Sequence, residues 1–248
     1  ERVKEVCVRL GFSEAVNLGL VGKDAVDSFG GNGAEILNPL SLNFGFLRGS
    51  LLPELLHNLR ENFGYKTERV SLFETGKCYG PDFRERLALG FAVMNAGDFY
   101  SFKGRVEAVV SQLGVNGFHW CRRDEKEGVA LPCMCADVEV GAIHVPSPEF
   151  LTRVDLENEA VFLCQFDLET LCAFRSPSVR CERLSTIPPV RRDLALVVPK
   201  QAKWHDIARA IGEAAFPPGI TELRVFDIYE GKPIPESCTG VAVALLFR

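Results

Sequence analysis

Residues 188–198 read PPVRRDLALVV, and residues 224–231 read RVFDIYEG. Apolar side chains recur at every second position of the first run, which predicts a β-strand with an arginine-rich beginning. A third apolar run, GVAVALLFR, closes the chain at residues 240–248. Between the first two runs, four apolar residues have the spacing of one helix face: Trp204, Ile207, Ala208 and Ile211. The order strand, helix, strand, strand predicts the first part of a ferredoxin-like β-α-β-β-α-β fold.

The second run carries the candidate ligand-binding side chains. Its alternation predicts that Val225, Asp227 and Tyr229 share one face of the strand, opposite Phe226 and Ile228. A tyrosine beside a carboxylate on a sheet face suits RNA, because the ring stacks on an unpaired base and the carboxylate accepts hydrogen bonds from the base. The alternative is that Asp227 caps the following turn and Tyr229 only packs.

The final helix and strand of such a fold are absent from this sequence. In the complete fold the strand order is 4-1-3-2, so without them the first strand becomes an open edge, which frays or pairs with other chains. We therefore expect residues 190–248 to be less stable than the preceding residues, or the missing portion to lie beyond Arg248. The chain begins at Glu1 rather than Met, which favours a fragment.

Composition limits the class of protein. Nine cysteines, an odd number scattered along the chain, favour free thiols in a reducing cytoplasm over a disulfide scaffold. No apolar run approaches the roughly 20 residues that span a bilayer, so we expect no membrane segment. The net charge of −5 argues against binding nucleic acid by bulk electrostatics, and no DNA partner is expected.

The charge is unevenly distributed. Residues 175–248 hold 11 Lys and Arg against 8 Asp and Glu, whereas residues 1–174 hold 17 against 25. A basic end on an acidic body fits a protein that meets phosphates at one end only, although an arginine-rich solvated surface would have the same composition.

The first 174 residues are predicted to form an α+β domain with a mostly antiparallel sheet and a few helices. Ser50 is the predicted N-cap of a helix with an apolar stripe formed by Leu51, Leu52, Leu55, Leu56 and Leu59. Strands are expected at residues 70–79, 87–94, 118–122, 136–145 and 160–166. A loop is expected at residues 131–135. Residues 175–189 form the predicted linker to the second domain, residues 190–248.

Three segments farther upstream complete a resemblance to a known family. They read ILNPLS at residues 36–41, LRGSLLP at 47–53 and LFETGK at 72–77. Together with the two C-terminal runs, and in the same order, they resemble the C-terminal portion of the bacterial phenylalanyl-tRNA synthetase beta subunit. The resemblance implies a class II synthetase-like antiparallel sheet with helices over residues 1–174. It also implies a truncated ferredoxin-like anticodon-binding domain over residues 190–248.

A function follows from the same resemblance. The family's beta subunit carries a non-catalytic domain that packs on the catalytic alpha subunit, in an alpha2-beta2 heterotetramer that attaches phenylalanine to its tRNA. ATP and magnesium are cofactors of the whole enzyme, and none is expected for this fragment. The matching Asp227 and Tyr229 would face the tRNA anticodon, with Arg191 and Arg192 beside the phosphates. Arg192 could instead form an ion pair at the edge of the core.

Catalysis by this chain alone is not expected. Class II catalytic domains hold ATP phosphates with arginine, as in an F-R-x-E strand, whereas the comparable strand here reads FETG, with Glu74 in second place. Arg48 is a single charge inside an apolar run, so it needs a partner, either across a subunit interface or in an internal salt bridge. Ser50 could likewise serve an interface or only the helix cap.

Two other functions stay open at this point: a freestanding RNA-binding or adaptor protein built from the same domains, and an enzyme with its own small-molecule site in the first domain. Cys133 and Cys135 form at most half of a zinc site, since no second Cys or His pair has metal-ligand spacing. No metal site is therefore predicted. The four histidines match no catalytic motif.

Overall fold

The computed structural model describes residues 1–26, 32–39, 41–176, 188–214 and 220–247. The chain divides into two compact units, residues 1–179 and residues 180–248. Most of the predicted linker, residues 175–189, lies outside the described residues. The domain boundaries at residues 174 and 190 therefore stay a prediction.

The first unit combines short helices with a large and a small sheet. Its helices are α1 (Arg2–Arg9), α2 (Lys23–Val26), α3 (Leu52–Gly64), α4 (Phe99–Gln112), α5 (Pro148–Arg153) and α6 (Leu168–Ala173), with one 3-10 turn at Leu42–Phe44. Its first six strands are β1 (Ser13–Glu14), β2 (Leu20–Val21), β3 (Ala34–Glu35), β4 (Phe46–Leu47), β5 (Val70–Tyr79) and β6 (Glu85–Met94). The remaining strands are β7 (Phe118–Trp120), β8 (Arg123–Glu125), β9 (Gly128–Cys135), β10 (Val138–Pro146) and β11 (Val161–Asp167).

The large sheet has the order β1-β5-β6-β11-β10-β9-β7, and β8 also pairs with β9. Its pairings are antiparallel apart from the short parallel contact of β1 with β5. The small sheet has the order β2-β4-β3. This arrangement confirms the predicted α+β fold with a mostly antiparallel sheet.

Both faces of the large sheet are covered by helices. Residues of α1, α4 and α6 pack on one face, and residues of α3 and α5 pack on the other. The helices dock because each presents an apolar stripe; on α4 the buried members are Phe102, Val106, Val109 and Val110. On α3 they are Leu52, Leu55, Leu56 and Leu59, as predicted. Among the described residues, no helix combines the length and apolarity that crossing a bilayer requires.

The prediction of a loop at residues 131–135 is wrong, because these residues belong to β9. In the sheet, β9 lies between β10 and β7. The strand includes Pro132 although proline cannot donate to a ladder and is normally confined to edge strands or bulges. Here its carbonyl still accepts a hydrogen bond from the amide of Cys121, at 3.0 Å. The predicted strand 136–145 begins two residues later, at Val138, because Ala136 takes a positive φ of 51° between β9 and β10.

The second unit contains β12 (Val190–Pro199), α7 (Trp204–Glu213), β13 (Ile220–Tyr229) and β14 (Cys238–Phe247). The sheet order is β12-β14-β13, so the third strand lies between the first and the second, as the ferredoxin-like order requires. Its buried core consists of Ile211 on α7 with Val241, Val243 and Leu245 on β14. We call the sheet face that carries this core the helix face and the opposite one the open face.

The alternation predicted for the second run fails at one residue. Val225 pairs with Val243, and Asp227 pairs with Ala242, the next residue along β14. Phe226 is therefore the extra residue of a β-bulge, which resets the alternation. Val225 packs on the core at the helix face and does not share the face of Asp227 and Tyr229.

The second unit is expected to exchange its amide hydrogens faster than the first. Within the described strands, β12 is an edge that pairs only with β14, and it lies over a much smaller core than β6 or β11 do. Hydrogen exchange on the purified chain should show weaker protection for Leu194–Val198 than for Leu89–Val93. Equal protection of the two segments would contradict this prediction.

Candidate RNA-binding face and buried polar cluster

The buried polar side chains of the described residues are Arg48, Ser50 and Glu74. Arg48 Nη1 lies 2.7 Å from Glu74 Oε1, and the two side chains are 6% and 3% exposed. Arg48 also donates from Nε to the carbonyl of Lys77, at 3.0 Å. Of the two partners that the sequence left open for Arg48, the structure presents the internal one. The sequence offered no signal that Glu74, on β5, would be that partner.

Two further residues complete this cluster. The side chain of Asn17 donates from Nδ2 to Glu74 Oε2 at 2.8 Å, and its backbone N–H donates to Glu74 Oε1 at 3.3 Å. Gly76 makes room for the guanidinium, because a Cβ at this position would lie 2.1 Å from Arg48 Nη2. The ion pair therefore depends on a glycine two residues beyond Glu74, and sequence reasoning missed both Asn17 and Gly76.

Ser50 lies beside the N-terminus of α3. Its hydroxyl accepts from the amide of Leu52 at 3.2 Å and donates to Gln165 Oε1 at 3.0 Å. The same Gln165 oxygen accepts from the amide of Leu51 at 2.7 Å. Since α3 begins at Leu52, Leu51 holds the N-cap position, one residue after the predicted Ser50. The hydroxyl and Gln165 of β11 together satisfy amides that the helix leaves without partners.

A cavity of about 590 Å³ opens beyond the N-terminus of α3, over β6, β10 and β11. Its described lining carries four carboxylates against three cations: Glu125, Glu127, Glu139 and Asp167 against Arg86, Arg123 and Lys126. Glu74, which stands where the resemblance implies that a catalytic domain would carry an ATP-binding arginine, is not part of this lining. The residue of β5 that lines the cavity is Cys78.

Arg123, one of the three cations of this cavity, is neutralised by two carboxylates of the same lining. Arg123 donates to Glu139 Oε2 at 2.9 Å and to Glu125 Oε1 at 2.9 Å. His144 Nδ1 lies 3.2 Å from Glu125 Oε2, and burial lowers the pKa of this imidazole despite the opposing effect of Glu125. A neutral histidine and an excess of carboxylates do not fit the phosphate chain of ATP, which requires fixed positive charge.

We therefore expect the purified chain to bind ATP more weakly than about 1 mM, a binding free energy of about −4 kcal/mol. The physical reason is repulsion between the triphosphate and the acidic lining. Isothermal titration of the chain with magnesium-ATP tests this expectation. Micromolar affinity in that titration would contradict it and would restore an enzymatic site in this unit.

Cys133 and Cys135, the two residues that the sequence offers as half of a zinc site, both lie in β9, and burial raises the pKa of both thiols. Cys133 is buried in β9, and burial raises the pKa of its thiol to about 12, whereas a metal ligand must be the thiolate. Within the described ranges, no three side chains of His, Cys, Asp or Glu lie close enough together to hold a metal ion.

The open face of the second unit carries two of the predicted RNA-binding residues. Asp227 pairs with Ala242 and Tyr229 with Gly240, so both side chains project from the open face. The Tyr229 hydroxyl donates to the carbonyl of Lys232 at 2.6 Å, and the residue is still 49% exposed. The ring is thus held in place at its hydroxyl end and accessible elsewhere, which suits a stacking surface.

The two arginines at the start of β12 lie on different faces. Arg191 pairs with Leu246 and is on the open face, where its Nε donates to Asp193 Oδ1 at 2.8 Å. Arg192 pairs with Leu245, which is buried in the core, so it projects from the helix face. The structure therefore brings Arg191 to the same face as Asp227 and Tyr229, but not Arg192.

Comparison with known proteins places both units in one family. A family model described as "Phenylalanyl tRNA synthetase beta chain CLM domain" matches residues 1–168, and one described as "Ferredoxin-fold anticodon binding domain" matches residues 185–248. The phenylalanine–tRNA ligase beta subunit of Thermotoga maritima is 29% identical over 96% of this chain and 32% of its own length. That of Clostridium acetobutylicum is 26% identical over 99% of this chain and 33% of its own length.

A solved structure of a pyrrolysyl tRNA synthetase from Desulfitobacterium hafniense matches 68% of this chain and 63% of its own, with a TM-score of 0.59 and 17% identity. This likeness shows the fold alone, and it confirms the predicted synthetase-like sheet. The chain spans about a third of the length of the curated relatives that it matches. With its two domain types matched in sequence order, the chain belongs to the phenylalanyl-tRNA synthetase beta chain family.

Proposed function

We propose that this chain is part of the beta subunit of a phenylalanine–tRNA ligase. In this role the first unit supports the catalytic alpha subunit, and the second unit binds the anticodon region of the tRNA. The observation that carries the proposal is the match of a beta chain domain and an anticodon-binding domain, in this order, over nearly the whole chain. The open face with Asp227, Tyr229 and Arg191 supplies suitable chemistry for RNA.

The proposed reaction is the ATP-dependent attachment of phenylalanine to its tRNA, in the cytoplasm, by an alpha2-beta2 heterotetramer. ATP and magnesium would be bound by the alpha subunit. The acidic cavity in the first unit of this chain supports that division of labour, since its lining does not fit a nucleotide phosphate chain. No step of the reaction is assigned to this chain's own residues.

We further propose that the alpha subunit covers the apolar surface formed by Val16 and Leu18, in the segment that precedes β2. Val16 and Leu18 are 86% and 64% exposed, which places two large apolar side chains on the surface only two residues apart. Asn17 lies between Val16 and Leu18, and its two hydrogen bonds to Glu74 fix the segment so that its neighbours face outward. The buried ion pair would thus position the docking surface without touching the partner.

Co-purification with the cognate alpha subunit tests the proposal. Wild-type chain should elute with the alpha subunit, whereas Leu18→Asp should elute alone, because a carboxylate would be buried in the interface. Tyr65→Asp is the matched control, since Tyr65 is 81% exposed at the end of α3, outside the proposed surface. A wild-type chain that does not associate with the alpha subunit would contradict the proposal.

A further inference from the structure

We infer that Phe226 is a second base-stacking position on the open face of the second unit, so that this face takes two consecutive unpaired nucleotides of single-stranded RNA. The inference rests on the proposed function, because a stacking position has a role only if this face binds RNA. It concerns a residue that the alternation of the sequence places on the helix face. It depends on the β-bulge, on the position of Arg191 and on the small side chains of β14.

The bulge redirects Phe226. In a regular strand its side chain would project opposite to Asp227, toward α7 and the core. In the register of the described strands, however, Val225 and Asp227 pair with consecutive residues of β14, and Phe226 between them is left unpaired. A bulge is a known device for redirecting a side chain beside a functional site.

Arg191 shows which face the ring occupies. Its guanidinium carbon lies 5.4 Å from the centre of the Phe226 ring, a cation–π distance. Since Arg191 projects from the open face, the ring of Phe226 lies there as well. Asp193 holds the guanidinium through the 2.8 Å bond to Nε, so one side of the contact is fixed by the protein. The ring is nevertheless 48% exposed, which leaves apolar surface for a ligand.

The central strand, β14, has only small side chains on the open face between the aromatic residues. Its open-face positions are occupied by Gly240, Ala242 and Ala244, which pair with Tyr229, Asp227 and Arg224 on β13. The space over Gly240 is filled by the side chain of Ile234, whose Cδ1 would lie 2.4 Å from a Cβ at this position, so the uncovered small residues are Ala242 and Ala244. Along β14 the partner positions of Phe226 and Tyr229 are two to three residues apart, so the two rings belong to positions about 7–10 Å apart along the sheet. That spacing separates two stacked bases and leaves Asp227 between them.

The ligand class follows from this arrangement. Aromatic rings on a sheet stack the bases of single-stranded RNA and tolerate any base, whereas an intervening carboxylate reads the hydrogen-bond donors of one base. Arg191 already lies against Phe226 and can contact the base stacked there or its phosphate. An RNA loop with at least two unstacked bases can contact all four side chains at once: Arg191, Phe226, Asp227 and Tyr229.

The test measures binding of phenylalanine tRNA to the chain in complex with its alpha subunit. Phe226→Ala should weaken binding by about tenfold or more, because stacking on one base is lost. Phe226→Leu keeps apolar volume but has no π face and should weaken binding to a similar extent, whereas Phe226→Tyr should bind like wild type. Ile228→Ala is the matched control, because Ile228 is an exposed apolar residue of the same strand on the helix face.

A second measurement separates this inference from the proposed function. Binding is measured for a set of tRNAs, each lacking one base of the anticodon loop. For one of these tRNAs, Phe226→Ala should leave the affinity unchanged, whereas Tyr229→Ala should still lower it. If Tyr229→Ala weakens binding and Phe226→Ala and Phe226→Leu do not, the second stacking position is refuted and the proposed function stands. If neither position matters, the RNA-binding assignment of the open face fails with it.

Discussion

Replacing Arg48 by methionine is expected to destabilise the first unit by about 3–5 kcal/mol, because the Glu74 carboxylate would stay buried without its countercharge. Both side chains are almost fully buried, so solvent cannot compensate the lost pairing at 2.7 Å. Breaking a buried pair on one side costs far more than the intact pair contributes to stability. The effect should therefore exceed that of removing any exposed ion pair of the chain.

Chemical denaturation measures this effect. The chain has two tryptophans, Trp120 in the first unit and Trp204 in the second, so a Trp204→Phe background reports the first unit alone. The matched control is Lys77→Met, which breaks the exposed pair of Lys77 with Glu85 and should leave the unfolding midpoint close to that of the parent. An Arg48→Met midpoint equal to that of Lys77→Met would contradict the prediction.

The double variant Arg48→Met with Glu74→Leu separates stability from positioning. Replacing both charges by apolar groups should recover most of the lost stability. It should not recover association with the alpha subunit, because Asn17 loses both of its acceptor contacts on Glu74. Recovery of both properties together would show that the ion pair does not position the proposed docking surface.

Tyr229→Ala is expected to weaken binding of phenylalanine tRNA by about tenfold or more, since stacking on one base contributes roughly 1–3 kcal/mol and 1.4 kcal/mol corresponds to one decade. The half-exposed ring on the open face is the group that would be lost. Binding is measured with the chain in complex with its alpha subunit, by filter retention or fluorescence anisotropy.

Tyr229→Phe is the variant that distinguishes stacking from a role in the turn. It keeps the ring but removes the 2.6 Å hydrogen bond from the hydroxyl to the carbonyl of Lys232. If the ring stacks on a base, Tyr229→Phe should bind nearly as well as wild type. Equal losses for both variants would assign Tyr229 to the turn, and unchanged affinity for Tyr229→Ala would refute its contact with tRNA.

Local patterns in the sequence predicted much of the fold because they depend on neighbours along the chain. The leucine stripe of α3 and the alternation of β12 require only periods of 3.6 and 2, so both elements could be placed from residue spacing. Pro132 shows where that reasoning fails. A proline demotes a strand locally, but whether it is tolerated depends on which neighbouring strand needs its amide, which spacing does not reveal.

For the candidate sites, too, some features follow from the sequence and others only from the tertiary structure. The sequence alone determined the family, the order of the two domains and the common face of Asp227 and Tyr229, because two residues of one strand with a single residue between them project together. Only the tertiary structure decided that Arg48 pairs with Glu74, that Asn17 joins them, and that Phe226 turns to the open face. The physical reason is that a buried charge finds its partner across the fold, and a bulge exists only in the register of a strand with its neighbour.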